Sequence, residues 1–375
     1  MTRAQRPSPF CSRAWPAKWR RADAIATRDQ AEAAGKPTVN DIARVAGVSL
    51  ATVDRVLNDR PGVRKVTIAK VQTAIDTLGY IRDTAAANLA RKRVYTILFI
   101  LPATGSEFVA GLEEAIRDQS QKLALDRTQL RVAKATPFDP QQIVAALDAV
   151  DPHEVDGIAL FGPETPSIRD AVRRIRARGV AVVALVSDLP SSDRDHFVGI
   201  DNLAAGRTAA QLMGRFLRIQ GTVLVLTGSR LARDHLERRQ GFDLVMADEF
   251  PGQQVVASVE GRDDPALIND LLTRAFDSYP DLVGIYASAA DHAGLIQYLS
   301  QSAPGKGPVV VAHELTPMAR RALRDGVFDA VINQDRGHLV RSAVRVLRAN
   351  VDGVPFNPTQ ERIRIDIYLK ENLPA

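Results

Sequence analysis

The chain has 375 residues, 45% of them hydrophobic, 25% charged, and a net charge of +5, which is material for two or three domains with full-sized cores. Its single cysteine, Cys11, excludes an intrachain disulfide and a cysteine-built zinc site, and no apolar run approaches the roughly 20 residues needed to cross a bilayer. The charge is uneven: residues 1–93 hold 18 Lys and Arg against 8 Asp and Glu, whereas the remainder hold 31 against 36, so one end attracts phosphate and the rest avoids it.

Residues 1–36 are dominated by Arg, Pro, Ser and Ala, and Trp15 and Trp19 lack periodic apolar company. The opening MTRAQRPSPFCSRAWPAKWRR has no continuous apolar core of the kind a signal peptide requires. The segment reads as a disordered basic extension, or as a start codon assigned too early. The chain is expected to be soluble, to stay in the cytoplasm and to have no membrane partner.

The stretch TVNDIARVAGVSLATVDRVLN, Thr38 to Asn58, carries the clearest local signals. Thr38 opens a Thr-x-x-Asp run that predicts a capping box, with Asp41 where the helix dipole favours an anion. Val39, Ile42, Ala43 and Ala46 share one helical face. Gly47 supplies a left-handed stop. Ser49 then caps a second helix whose Val53, Val56 and Leu57 pack back on the first, leaving Leu50, Ala51, Asp54 and Arg55 facing out. That is helix-turn-helix geometry, in which the outward residues near the start of the second helix meet base edges in the major groove. The alternative is a helical hairpin that merely packs on a neighbour.

The residues AxxAGVSxxTVxRVLN resemble the DNA-binding headpiece of the lactose repressor family of bacterial transcription regulators. The resemblance implies a third helix, expected at Thr67–Leu78 with Ile68, Val71, Ile75 and Leu78 on one face, and a headpiece at residues 37–80. It implies operator contacts by Thr38, Ser49, Leu50, Ala51, Thr52, Asp54, Arg55 and Asn58. Arg55, Leu50 and Ala51 would bear on base choice, and Ser49, Thr52 and Asn58 on phosphates. At Asp54 the family commonly has serine; a carboxylate there repels phosphate unless it accepts from a cytosine amino group.

Residues 81–93, IRDTAAANLARKR, have good helix propensity. In the resembled family a hinge helix here wedges a leucine into the minor groove, and Leu89 holds that position. Arg82 and Asp83 stand where the family usually has Pro-Asn, which removes a preset helix start, although Asp83 can still cap.

From Val94 onward, short β-branched runs alternate with amphipathic segments: YTILFIL, GIALFG, VAVVALV, TVLVLTG, LVGIYAS, PVVVAH and DAVINQ are separated by stretches such as FVAGLEEAIRDQSQKLA and DPALINDLLTRAF. The pattern predicts an α/β core of two doubly wound parallel-sheet subdomains with a crevice between them. The last run, RIRIDIYL, alternates Ile363, Ile365 and Ile367 with charges, as an edge strand does. This region resembles the core of the same family, which is similar in turn to periplasmic sugar-binding proteins. The resemblance implies three crossings between subdomains, placed near Asp201, Asn333 and Pro355. One subdomain then takes about 94–200 and 334–355, the other about 201–333 and 356–375.

In such sheets ligands sit beyond the carboxyl ends of the strands. Arg238, three residues before Gly-Phe in SRLARDHLERRQGF, matches an effector-contacting arginine of the family, and its fixed fork suits paired hydroxyls or a carboxylate. Glu314 occupies a frequent acidic position, Gln334 begins a Gln-Asp pair, and Asp291 and Asp188 are further candidates. Phe108 and Phe161, near strand ends, offer an apolar face for a ring. Asp201 and Asn202 match a family motif, with capping of the next helix as an equal reading.

Paired donors and acceptors suit a sugar or polyol; a purine or nucleoside is the alternative effector. A sugar-binding protein without a regulatory role and an enzyme are the competing classes, and neither a phosphate-binding loop, a Gly-x-Ser-x-Gly elbow nor a His-Glu-x-x-His helix occurs in the sequence. The expectation is therefore a non-enzymatic transcription regulator, read as a homodimeric repressor of a palindromic operator in double-stranded DNA, controlled by a small molecule and needing no cofactor or metal.

Overall fold

The computed structural model describes residues 37–57, 61–80, 93–137, 139–302 and 307–374. They fall in two compact units, one within Met1–Ala87 and one within Asn88–Ala375. Asn58, Leu89, the extension 1–36 and the linker residues 81–92 lie outside the described residues.

In the first unit, α1 (Val39–Ala46) begins at a reciprocal cap: the Thr38 amide and hydroxyl both donate to Asp41 Oδ2, at 3.0 and 2.8 Å, and the Asp41 amide donates back to Thr38 Oγ1. These bonds, led by the one from the Thr38 amide, hold the Asp41 carboxyl down at about 2. A depressed carboxyl stabilises above its unfolded value of 3.8 and loses that effect as pH falls through about 2. First-turn amide protection, followed by hydrogen exchange, is therefore expected to decay across that window, and Asp41→Asn to remove the dependence.

Gly47, at φ 67°, ends α1. In α2 (Leu50–Leu57) the first turn is held by Ser49 Oγ, which accepts from the Thr52 amide at 3.2 Å. The third helix, α3 (Lys65–Leu78), starts two residues earlier than its expected first residue, Thr67. Ile42, Ala43, Val53, Val71 and Ala74 form the small core, ringed by Ala46, Val56, Leu57, Ile75, Leu78 and Tyr80. Two residues expected on the packed faces depart from it: Ile68 and Val39 remain 42% and 40% exposed, whereas Ala74 is buried. Each sits in the first turn of its helix, outside the cluster that the three helices enclose.

The second unit is built on two sheets. The first contains β1 (Tyr95–Pro102), β2 (Thr128–Ala135), β3 (Gly157–Leu160), β4 (Ala181–Leu185) and β5 (His196–Val198), in the order β2-β1-β3-β4-β5 and parallel throughout. Alternate residues of β4 serve opposite faces: Ala181, Val183 and Leu185 join one core cluster, Val182 and Ala184 another. Continuous apolar runs are needed because both faces are covered. Helices α4 (Glu107–Leu123), α5 (Pro140–Asp148) and α6 (Pro166–Ala177) connect these strands.

The second sheet contains β6 (Thr222–Thr227), β7 (Gln254–Val255), β8 (Val259–Glu260), β9 (Leu282–Ala287), β10 (Val309–His313), β11 (Ala330–Asn333) and β12 (Asp366–Tyr368). Its order is β12-β11-β10-β9-β6-β7, with β8 also on β6; among the described residues only β12 runs antiparallel. The run QVVASV is split into β7 and β8 rather than forming one strand. The final run is a strand only over 366–368, and its alternation slips: Ile363 is buried while Ile367 is 38% exposed.

The chain passes between the sheets three times. Asp201 caps α7 (Asn202–Phe216), which packs on β9, β10 and β11 of the second sheet together with α8 (Arg233–Glu249). Asp335 caps α12 (Arg336–Asp352) in the same way, accepting from the His338 amide, and α12 returns to β1, β3, β4 and β5. After α12 the chain leaves the first sheet later than the expected Pro355. Phe356 still meets His196 of β5, and Glu361 is tied to α12 by Ser342 and Arg345. The remaining helices are α9 (Pro265–Ser278), α10 (Ala293–Ser302) and α11 (Pro317–Arg324).

Candidate functional sites

On the first unit, Leu50, Ala51, Asp54 and Arg55 lie at i, i+1, i+4 and i+5 of α2, opposite the buried Val53, and all four are exposed. Leu50 is 49% exposed, an apolar side chain that the small core does not use. Ser49 and Thr52 hydroxyls lie 2.9 Å apart at the start of the helix, and Thr38 is exposed at the start of α1. The outward face of α2 thus brings an arginine, a carboxylate and two short apolar groups together, with hydroxyls beside them.

In the second unit a cavity of about 80 Å³ lies at the carboxyl ends of strands from both sheets. The first sheet contributes Thr104 and Ser106 after β1, Thr136 after β2, Phe161 after β3 and Ser187 after β4. The second contributes Asp234, His235 and Arg238 from α8, Asp263 after β8, Ala289 and Ala290 after β9, and Glu314 after β10. Phe108, near the start of α4, meets Phe161 edge to face, with centroids 6.4 Å apart.

Arg238 organises the wall. It is 2% exposed, and donates from Nε to Asn202 Oδ1 (2.9 Å), from Nη1 to the Ser288 carbonyl (2.8 Å) and from Nη2 to Glu314 Oε1 (3.2 Å). The same Glu314 oxygen accepts from Gln334 Nε2 at 2.8 Å. Burial pushes the Glu314 carboxyl above its ordinary range, with Arg238 opposing. Beneath the pair, burial drives the His313 imidazole well down, and the Arg238 charge adds to that; its Nε2 lies 2.8 Å from the Tyr286 hydroxyl. Asn202 opens the helix after the first crossing and Gln334 follows the strand before the second. One amide from each crossing therefore holds one member of the buried ion pair.

Arg238 reaches Asn202 because α7 and α8 touch backbone to backbone. A Cβ on Gly206 would fall 1.9 Å from the Arg238 carbonyl oxygen, and one on Gly241 would fall 2.1 Å from that of Leu203. Three cavity residues that are not glycine adopt left-handed backbone: Val186 (φ 66°), Asp263 (φ 55°) and Glu314 (φ 66°). Each such conformation costs about 1–3 kcal/mol and persists only where the surroundings impose it.

Of the residues expected at the ligand site, Phe108, Phe161, Arg238 and Glu314 line the cavity. Gln334 stands behind Glu314 and does not line it. Asp188 and Asp291 do not line it either. The left-handed turn at Val186 presents Ser187 instead, and Asp188 pairs with Arg194, Oδ2 to Nη2 at 2.7 Å. Asp291 accepts from the Ala293 amide at the start of α10, while Ala289 and Ala290 take the wall. Asp234, His235 and Asp263 were missed. Asp234 carried a readable signal, lying at i−4 from Arg238 on the same helix. Asp263 carried none, since its direction depends on the left-handed pair Arg262 and Asp263.

Residues 97–354 match the family described as periplasmic binding protein domain, and residues 38–83 match the bacterial regulatory proteins of the lacI family. The chain is 28% identical over 177 residues to the transcriptional regulator DegA of Bacillus subtilis, covering 47% of this chain and 51% of that one. It is 30% identical over 181 residues to the ribose operon repressor of Escherichia coli K12, covering 47% and 52%. The chain thus spans about half the length of these curated relatives. The glucose-galactose binding protein GanP of Geobacillus stearothermophilus has a matching fold, with TM-score 0.67 at 20% identity over 76% of this chain and all of that one. A solute binding protein of Burkholderia graminis, solved in complex with D-arabinose, gives 0.67 at 23% identity over 74% and 96%.

Proposed function

The chain belongs to the lacI family of bacterial regulatory proteins, joining that family's headpiece to a periplasmic binding protein domain, and on that footing we propose that it is a repressor whose grip on operator DNA is set by a sugar or polyol in the cavity. It acts as a homodimer on a palindromic site, since two-fold symmetry in the protein asks for two-fold symmetry in the DNA. The setting is the cytoplasm, at the nucleoid, and no catalysis is involved.

The observation that carries the reading is the tie between cavity and crossings. A ligand shifts an equilibrium only by contacting two states differently. Here a ligand touching Arg238 or Glu314 alters the bonds to Asn202 and Gln334, which sit on two of the three segments joining the sheets. Hydroxyls of Thr104, Ser106 and Ser187 face carboxylates of Asp234, Asp263 and Glu314 across the wall, a mixture suited to a ligand that both donates and accepts.

The test is a gel shift with an operator selected from random duplexes, repeated across sugars, polyols and purine nucleosides. A change in DNA affinity with a sugar or polyol supports the reading; a response confined to purines removes the ligand and leaves the regulator. Arg55→Ala is expected to relax base preference at one operator position, at a cost of about 1–3 kcal/mol on the selected site. A uniform loss across all sequences reassigns Arg55 to phosphate.

A further inference from the structure

The cavity's polar wall is unbalanced in charge. Its lining holds one arginine, one histidine and three carboxylates. Arg238 already faces Glu314 and spends three of its five N–H groups on protein partners. The imidazole of His235 has its Nε2 3.6 Å from Asp234 and its Nδ1 3.1 Å from the Ser229 carbonyl. Arg233, next to the cavity, is paired with Glu164 and Glu237 at 2.7 Å each. Arg238, His235 and Arg233 therefore each have an acidic neighbour.

The acceptors, by contrast, are open. Asp234 and Glu314 are 3% and 2% exposed, yet Asp234 Oδ1 and Glu314 Oε2 have no hydrogen-bond partner. Asp263 lines the same wall on a left-handed backbone. Buried carboxylate oxygens are costly without a donor, so a cavity lined by two residues that carry them suits a ligand that brings donors. The hydroxyls of Thr104 and Ser106 accept from backbone amides, which leaves their protons for an oxygen of the same ligand.

We infer that the effector is a polyhydroxylated molecule bearing no negative charge, whose hydroxyl or protonated amino groups donate to Asp234, Asp263 and Glu314, and that sugar acids, sugar phosphates and nucleotides are excluded. This rests on the sugar or polyol reading and narrows it. A carboxylate or phosphate entering the site faces three carboxylates and one neutralised arginine, so it loses its hydration without gaining a free cation.

The experiment is a thermal-shift screen of the full chain against matched sets. Each pentose or hexose is offered as the neutral sugar, the polyol, the amino sugar, the sugar acid and the phosphate, with purine nucleosides alongside. Stabilisation by neutral or amino members, with none from the acids and phosphates of the same sugar, is the expected result. Asp234→Asn should then weaken that ligand at least about tenfold, as loss of a charged acceptor does. A screen led by an acid or phosphate, or an Asp234→Asn protein that binds unchanged, overturns the inference while keeping the sugar reading. A screen answered only by purine nucleosides, or by no member, removes the sugar reading itself and this inference with it.

Discussion

Arg238→Met is expected to lower the stability of the second unit by about 3–5 kcal/mol, the usual cost of breaking a buried ion pair from one side. The change leaves Glu314 buried with only Gln334 as a donor, and leaves Asn202 Oδ1 and the Ser288 carbonyl without the guanidinium. Exposed pairs such as Arg174 with Asp148, both about half exposed, are worth about 0–1 kcal/mol by comparison. Thermal melts at several pH values separate the causes. Burial already raises the Glu314 carboxyl, and losing Arg238 raises it further. A raised carboxyl weakens the fold above its unfolded value of 4.5 and ceases to do so once protonated below it. The defect should therefore be largest at neutral pH and shrink as pH falls toward 4.5. Arg238→Met with Glu314→Leu removes both charges and should recover most of the stability while leaving DNA binding unresponsive to the effector. If the double variant is as unstable as the single one, packing rather than the pair sets the cost. Arg238→Lys should rescue little, because an ammonium cannot reach three partners in a plane.

The second large effect is expected from Gly206→Ala. On propensity alone alanine in a helix interior gains up to about 1 kcal/mol over glycine. Here the added carbon would sit 1.9 Å from a backbone oxygen on α8, and backbone cannot swing aside as a flexible side chain does. The helices must separate, and overpacking of this kind costs about 1–3 kcal/mol or more, enough to reverse the sign. Gly241→Ala meets the backbone of α7 at 2.1 Å and should behave alike. Because the contact sets the distance from Asn202 to Arg238, both variants should also weaken effector binding beyond their loss of stability, which isothermal titration at a temperature well below the melt would show. Gly326→Ala is the control: its φ of 75° costs strain, but open space surrounds it, so binding should be unchanged.

Much of this is legible in the sequence. The cap at Thr38 and Asp41, the stop at Gly47 and the outward set Leu50, Ala51, Asp54 and Arg55 depend on neighbours within four residues, and helix geometry fixes them wherever the helix goes. The buried strands were visible because two covered faces demand continuous apolar residues. Arg238 and Glu314 could be picked out because they follow strand ends, where crevices of such sheets lie. Errors arose where a residue's direction depends on something remote. Asp188 follows a strand end, yet Val186 adopts a left-handed backbone there and Ser187 lines the cavity instead. Asp263 was invisible for the same reason in reverse. Ile68 matched the helical period but lies outside the cluster that the headpiece helices enclose.

The sequence by itself determined the helix-turn-helix, its outward face, the strand and helix alternation and the strand ends that bear ligand-site candidates, since each follows from local spacing and the solvent preference of side chains. Only the tertiary structure decided that Asn202 and Gln334, one from each of two crossings, converge on a single buried pair of Arg238 and Glu314. It also decided that carboxylates outnumber cations on the wall. Those facts depend on two helices meeting at glycine and on left-handed turns at strand ends, contacts between residues up to 76 positions apart in the case of Arg238 and Glu314, and no periodicity along a chain records which distant backbone will lie against it.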